Sequence, residues 1–177
     1  MLHGVELRNG GQYGPSTKSA LQFVNLKSNS NVSSVKGSSF VNCHSECINV
    51  RYSHNISITN NVIFRARTFG MEVEGFVHSV VFSNNLISSI LNPPLSNRLL
   101  ACFVMKIYHY QSYLNVIEDN ICQGSQGYGF ILPHVGCYEL SSHMSKNNVA
   151  GSCRTGFIFN DNRQSCQAFS HIGAYAC

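Results

Sequence analysis

At 177 residues, with 44% apolar and 11% charged residues, the chain is long enough for one continuous core and too apolar to be a disordered segment. Its net charge of +4 is spread thinly, with no dense Lys/Arg run and no interleaving of basic and aromatic residues, which argues against a nucleic-acid partner. The longest uncharged apolar run, Leu99 to Met105, is far too short to span a bilayer, and the start (MLHGVELRNGG) lacks the basic-then-apolar pattern of a secretory signal.

In chain order, strand-like stretches first appear in HGVELRNGGQYG (His3 to Gly14) and SALQFVN (Ser19 to Asn25). Asn31-Val32-Ser33 then recurs as Asn55-Ile56-Ser57, which sets a period. His54 recurs as His78 at the same step, and Asn60-Asn61-Val62 recurs as Asn84-Asn85-Leu86, again at that step. The same ending returns at Asp119-Asn120-Ile121 and Asn147-Asn148-Val149, after longer gaps. A second element keeps the rhythm: Gly70-Met71-Glu72-Val73, Gly129-Phe130-Ile131-Leu132 and Gly156-Phe157-Ile158-Phe159 each open a short apolar strand with a glycine bend. Cys47-Ile48-Asn49-Val50 takes the equivalent place one coil before Gly70.

Repeats of this size are stacked units that cannot bury an apolar face alone. Apolar residues alternate within each unit (Ile48, Val50; Ile56, Ile58; Met71, Val73; Val80, Phe82), which is the strand period of two. Several short strands per coil, repeated in register, predict an all-β, right-handed parallel β-helix of roughly 24-residue coils. Paired asparagines suit its corners, since Asn tolerates left-handed geometry and stacked Asn side chains form a hydrogen-bond ladder. An antiparallel sandwich also uses short strands and regular turns, but its hairpins do not need the same residue at the same corner once per period.

The expected organisation is one β-helix domain over residues 1–177, with a loop insertion at 91–100 where Pro93 and Pro94 cannot donate to a ladder. Eight cysteines without close CxxC pairs predict disulfides formed in an oxidising compartment. Cys153 and Cys177 stand one coil apart and are a candidate pair to bridge, with the other pairings among the eight left open. Asn31 and Asn55 head two glycosylation sequons that fall on one corner of successive coils. With no signal peptide, an extracellular repeat of this kind is expected to be a piece of a larger ectodomain or a truncated product.

Chemistry-bearing residues are few. Glu72 and Glu74 share one strand face, with Arg51 one coil below, as a candidate surface contact. The plain expectation is a solvated face with an ion pair of little worth. Acid–base catalysis needs a third positioned group, which the sequence does not supply. Arg65 and Arg67, with Arg51, form one small basic patch. His54 and His78 are expected to stack on adjacent coils without a third ligand, and Cys43-His44-x-x-Cys47 suits a turn as well as a thiolate pair, so neither metal nor cofactor is expected.

The elements HGVELRNGGQYG, then SSVKGSSFVNCHSECINVRYSHNISITNNVIFRARTFGMEVEG (Ser33 to Gly75), then NNVAGSCRTGFIF (Asn147 to Phe159), resemble the fibrocystin family in their order. The resemblance implies a β-helix region within a very large, glycosylated, single-pass cell-surface protein, with cilium and epithelium as family associations. Relatives of this β-helix linked to hyaluronan breakdown carry a His-x-His pattern after the VE-R element. This chain has SALQFVN there, without histidine. The expectation is therefore a non-catalytic extracellular module that binds an unidentified protein or glycan. The alternative is a polysaccharide-active β-helix enzyme, a hyaluronan- or pectin-type lyase or hydrolase.

Overall fold

The computed structural model describes residues 1–14, 18–27, 31–92, 99–106, 114–132, 143–159 and 169–177. Its first coil holds strands β1 (Leu2–His3), β2 (Glu6–Arg8) and β3 (Leu21–Val24), and its second β4 (Ser33–Lys36), β5 (Ser39–Cys43) and β6 (Ile48–Arg51). The third coil holds β7 (His54–Thr59), β8 (Val62–Ala66) and β9 (Phe69–Glu74). The fourth holds β10 (His78–Ser83), β11 (Leu86–Ile90) and β12 (Ala101–Lys106). The fifth adds β13 (Asn115–Glu118), β14 (Ile121–Ser125) and β15 (Tyr128–Leu132), and the sixth β16 (His143–Lys146), β17 (Val149–Gly151) and β18 (Thr155–Phe159). The last contributes β19 (Phe169–Ser170) and β20 (Gly173–Tyr175).

Every third strand pairs, giving parallel sheets in the orders β1-β4-β7-β10-β13-β16-β19, β2-β5-β8-β11-β14-β17-β20 and β3-β6-β9-β12-β15-β18. There is no helix among the described residues. The protein is a parallel β-solenoid, as the repeat predicts. Val80 stacks on Ile56 and Phe82 on Ile58, and all four side chains are buried. The aromatic rings of Phe103, Phe130 and Phe157 continue the core as a face-to-face column with 4.8 Å between successive centroids.

The coil length is less regular than the motifs imply. The step from Val35 to its partner Ile58 is one residue shorter than the step from Ile58 to Phe82. The step from Phe82 to Ile117 is eleven residues longer than that from Ile58 to Phe82. Ser33 therefore stacks on Ile56, and the two sequons are offset by one residue rather than sharing a corner. The inward positions fix this register: Val35 must meet Ile58 and Phe40 must meet Ile63, and a slip of one residue turns each side chain to the other face. The eleven extra residues of the fourth coil are also divided. Because Phe69 pairs with Ala101, eight of them enter before β12, and the other three enter between Lys106 and Asn115. Residues 93–98 of the expected loop, Pro93 and Pro94 among them, lie outside the described residues.

The asparagine pairs divide the labour of the corner. The first member takes left-handed backbone geometry, with φ of 56° at Asn60, 55° at Asn84 and 53° at Asn147, and Asp119 substitutes at 55°. The second member, Asn61, Asn85, Asn120 or Asn148, is buried, and its side chain ties its coil to a neighbouring one. Asn61, Asn85 and Asn120 each donate backbone N–H and Nδ2 to the following Oδ1, at 3.0–3.1 Å. The same Nδ2 groups also reach back to the carbonyls of Val35, Ile58 and Phe82. Ser38 begins the ladder by donating its N–H to Asn61. These polar groups, which the turn removes from water, are thereby satisfied by the turn itself.

A second apolar cluster covers the outside of the third sheet. Phe103 and Met105 face the main core, so Val104 between them faces outward, yet it is buried with Phe69, Ala101 and Ile131. This accounts for the unbroken apolar run of Leu99 to Met105, whose strand is buried on both faces rather than alternating. Where β9 bends toward the core, a Cβ on Gly70 would sit 2.5 Å from Ile87 and 2.8 Å from the Cys102 carbonyl, so only glycine fits.

Candidate functional site

On the polar half of the third sheet's outer face, Asn49 in β6, Glu72 in β9 and Val104 in β12 occupy one row. Lys106, two residues beyond Val104, returns its Nζ to Glu72 Oε1 at 2.8 Å and lies 4.7 Å from the centre of the Phe69 ring. Asn49 Nδ2 donates to the other carboxylate oxygen at 2.6 Å, while Asn49 Oδ1 is buried without a partner. Glu72 is 2% exposed. The expectation of a solvated face is thus corrected at Glu72, because the apolar cluster extends across this half of the sheet. Burial raises its carboxyl above the ordinary value, with Glu46 and Glu74 acting the same way and Lys106 opposing. Glu74 is more open and pairs with Arg51 at 2.8 Å, as the shared face predicts. A protonatable carboxyl beside an ammonium is chemically capable, but this one is closed on itself.

The open concavity lies elsewhere, at the outer corner of the second sheet. Asn9, Asn42, Arg65 and Ser89 take left-handed geometry on four successive coils, with φ between 56° and 64°. Their side chains project outward in one column, since the residues that follow the last three (Cys43, Ala66, Ile90) turn into the core. With Cys43, His44, Arg67 and Leu91 they line a groove of about 470 Å³. Arg65 lies over the Phe64 ring at 5.2 Å, and both arginines are exposed. Among the described residues no carboxylate pairs with Arg65 or Arg67, and none lines the groove. The expected three-arginine patch is therefore split: Arg65 and Arg67 share the groove, and Arg51 is neutralised by Glu74 on another face.

His54 and His78 do stack, with ring centroids 3.8 Å apart and an 11° tilt, and Phe76 meets both edge-on. Burial lowers both imidazoles, and His78 lowers His54 further. Among the described residues no group of three or more His, Cys, Asp or Glu could hold a metal. Asn31 is exposed ahead of β4, whereas Asn55 is half-buried within β7 in left-handed geometry.

The cysteines depart from expectation. Disulfides join Cys43 to Cys47 and Cys102 to Cys122, and Cys153 and Cys177 are free thiols. Spacing does place Cys153 and Cys177 at equivalent coil positions, since Ala150 stacks on Ala174 with the same step. Cys153 turns inward, 3.5 Å from Cys122 Sγ and 3.3 Å from the Gly151 carbonyl, and its thiol interacts with that of Cys177 without bonding to it. Cys177 also donates to the Tyr175 carbonyl at 3.5 Å. Cys137 and Cys166 lie outside the described residues.

Comparisons with family models, with curated proteins and with solved structures find no match to this chain. The fibrocystin-like resemblance rests on the quoted motifs and their order. The groove residues Asn9, Asn42 and Ser89 carry no motif of their own. Their signal in the sequence is slight: each stands near a strand's end, and Asn42 and Ser89 come just before an inward residue.

Proposed function

We propose that this chain is a non-catalytic, extracellular β-helix module of a fibrocystin-like cell-surface protein, presenting its second-sheet corner groove to a ligand. The observation that carries the reading is a contrast. The groove is open and holds two arginines with no carboxylate among the described residues that line it, while the acidic cluster at Glu72 is closed by Lys106 and Asn49. Catalytic β-helices need accessible carboxylates or a metal with a base. Two disulfides support an oxidising compartment, and no helix among the described residues is long and apolar enough to cross a membrane.

The enzyme reading keeps one specific support, the raised carboxyl of Glu72 beside Lys106. Incubation of the secreted, oxidised chain with a panel of glycans separates the two. The module reading expects no new reducing ends and no unsaturated sugars. Turnover that disappears in Glu72→Gln would replace it with the enzyme reading.

A further inference from the structure

We infer that the groove at the second-sheet corner is a binding site for an acidic, linear glycan, gripped at its carboxylate or sulfate groups by Arg65 and Arg67. The inference deepens the module reading above and rests on it. Arg65 and Arg67 flank Ala66, whose side chain is fully buried, so both guanidinium groups leave the same corner toward solvent. Each presents a planar fork of donors that matches a carboxylate or sulfate in bidentate fashion, and no carboxylate among the described residues occupies either fork. Such a pair in a concave site selects a ligand with at least one negative group.

The remaining lining residues say what else the ligand carries. Asn9 and Asn42 offer amides on adjacent coils, and Ser89 offers a hydroxyl two coils beyond Asn42. Coils repeat at about 4.8 Å, so this column spans roughly 14 Å along the solenoid axis. Amides and a hydroxyl in a row suit successive hydroxyl groups. Leu91 and the His44 ring supply the apolar contact that a pyranose face requires.

Other anionic ligands fit less well. An extended acidic peptide is usually held by adding a strand to a free sheet edge. The strands that carry Asn42, Arg65 and Ser89 are already paired on both sides, β5 by β2 and β8, β8 by β5 and β11, and β11 by β8 and β14; the one sheet edge at the groove, β2, lies two coils from Arg65. A single-stranded nucleic acid wants stacking platforms and a longer run of cations, and two arginines with one histidine do not make one.

The test uses the whole oxidised chain and three hexasaccharides. A galacturonic acid hexamer carries carboxylates only, a heparin hexamer carries sulfates as well, and maltohexaose is neutral. Titration calorimetry at low ionic strength should show one or both acidic hexamers binding at least tenfold more tightly than maltohexaose. The preferred one identifies the anionic group. Arg65→Ala and Arg67→Ala should each weaken that binding by about tenfold or more, the effect of losing one charge-assisted contact. Added salt should weaken it too. Arg67→Lys should retain only part of the affinity, because an ammonium cannot form the bidentate fork. Arg51→Ala, on another face, should bind as the parent does. Equal melting temperatures of the exposed-arginine variants certify that the fold is intact.

The inference is overturned if neither acidic hexamer binds, if maltohexaose binds equally, or if Arg51→Ala weakens binding as much as Arg67→Ala. These results leave the non-catalytic module reading standing for some other ligand. Cleavage of a bound hexamer has the opposite effect: it removes the non-catalytic reading and leaves the site in place.

Discussion

Asn85 passes both its backbone N–H and its Nδ2 to the single Oδ1 of Asn120, each at 3.0 Å, while its own Oδ1 receives the same two donors from Asn61. One side chain thus satisfies groups on three coils. The arrangement predicts an asymmetry between neighbours. Asn85→Ala removes the acceptor of the Asn61 N–H and leaves the Asn61 Nδ2 only the Val35 carbonyl, in a corner closed to water, at roughly 1–3 kcal/mol for a buried group left unpaired. Asn84→Gly keeps the left-handed turn open and should cost less than about 1 kcal/mol, the usual range for glycine in a compatible site. Urea unfolding of both variants measures the difference. Equal losses would mean that the ladder contributes little beyond the turn.

How far the sequence displays this is uneven, for physical reasons. The asparagine corners, the stacking of Ile58 with Phe82 and the meeting of Arg51 with Glu74 all follow from a period and the alternation of strand faces. The outer face of the third sheet does not. Alternation tells which face Glu72 occupies but not whether something covers it. The one sign is that Leu99 to Met105 fails to alternate, as a strand buried on both sides should. The groove is hidden for a different reason: Asn9, Asn42, Arg65 and Ser89 share a backbone geometry rather than a residue type.

Glu72 and Lys106 predict an unusual pH dependence. A carboxyl raised in the folded state is fully stabilising below its ordinary value of 4.5, and that contribution is lost as pH rises through the folded value. Lys106 limits the loss. Lys106→Met should therefore destabilise little near about pH 4 and by roughly 3 kcal/mol or more near neutrality, where a buried carboxylate is left alone. Adding Glu72→Gln should abolish the difference. Denaturant melts at the two pH values decide it, and a pH-independent cost for Lys106→Met would show that Glu72 does not depend on its partner.

The stacked histidines act in the opposite sense. With both imidazoles lowered from the ordinary 6.5, the unfolded chain takes up protons first as pH falls. Their contribution is complete above that value and is lost as pH drops through the folded values. Replacing both, as His54→Gln with His78→Gln, should flatten the decline in melting temperature below about pH 6.5. An unchanged decline would place the acid sensitivity elsewhere.

Phe103 lies between Phe130, ring on ring, and Phe82, 6.4 Å away at a tilt. It is fully buried, and each coil can bury its apolar residues only against its neighbours. Phe103→Ala should cost about 3–5 kcal/mol through lost burial and the cavity left behind. Phe64→Ala, on the solvent side of β8, should cost far less. A calorimetric scan of the two variants tests whether the aromatic column holds the fourth coil to the fifth.

Cys153 sits against a disulfide it does not join. Its Sγ is 3.5 Å from that of Cys122, which is bonded to Cys102, and burial raises its thiol above the ordinary value. A buried thiol held in its neutral form reacts slowly, because the thiolate is the nucleophile. Alkylation of the native protein at neutral pH should therefore modify Cys177, which is exposed, well before Cys153. Removing the competing partner should change the pairing. In Cys102→Ser, Cys122 and Cys153 need to close by only about 1.5 Å to reach a normal S–S bond length. Peptide mapping of that variant, folded under oxidising conditions, should recover a Cys122–Cys153 linkage with Cys43–Cys47 intact. Recovery of Cys153 joined to Cys177 instead would show that spacing along the coil, rather than the inward turn of Cys153, governs which sulfurs meet.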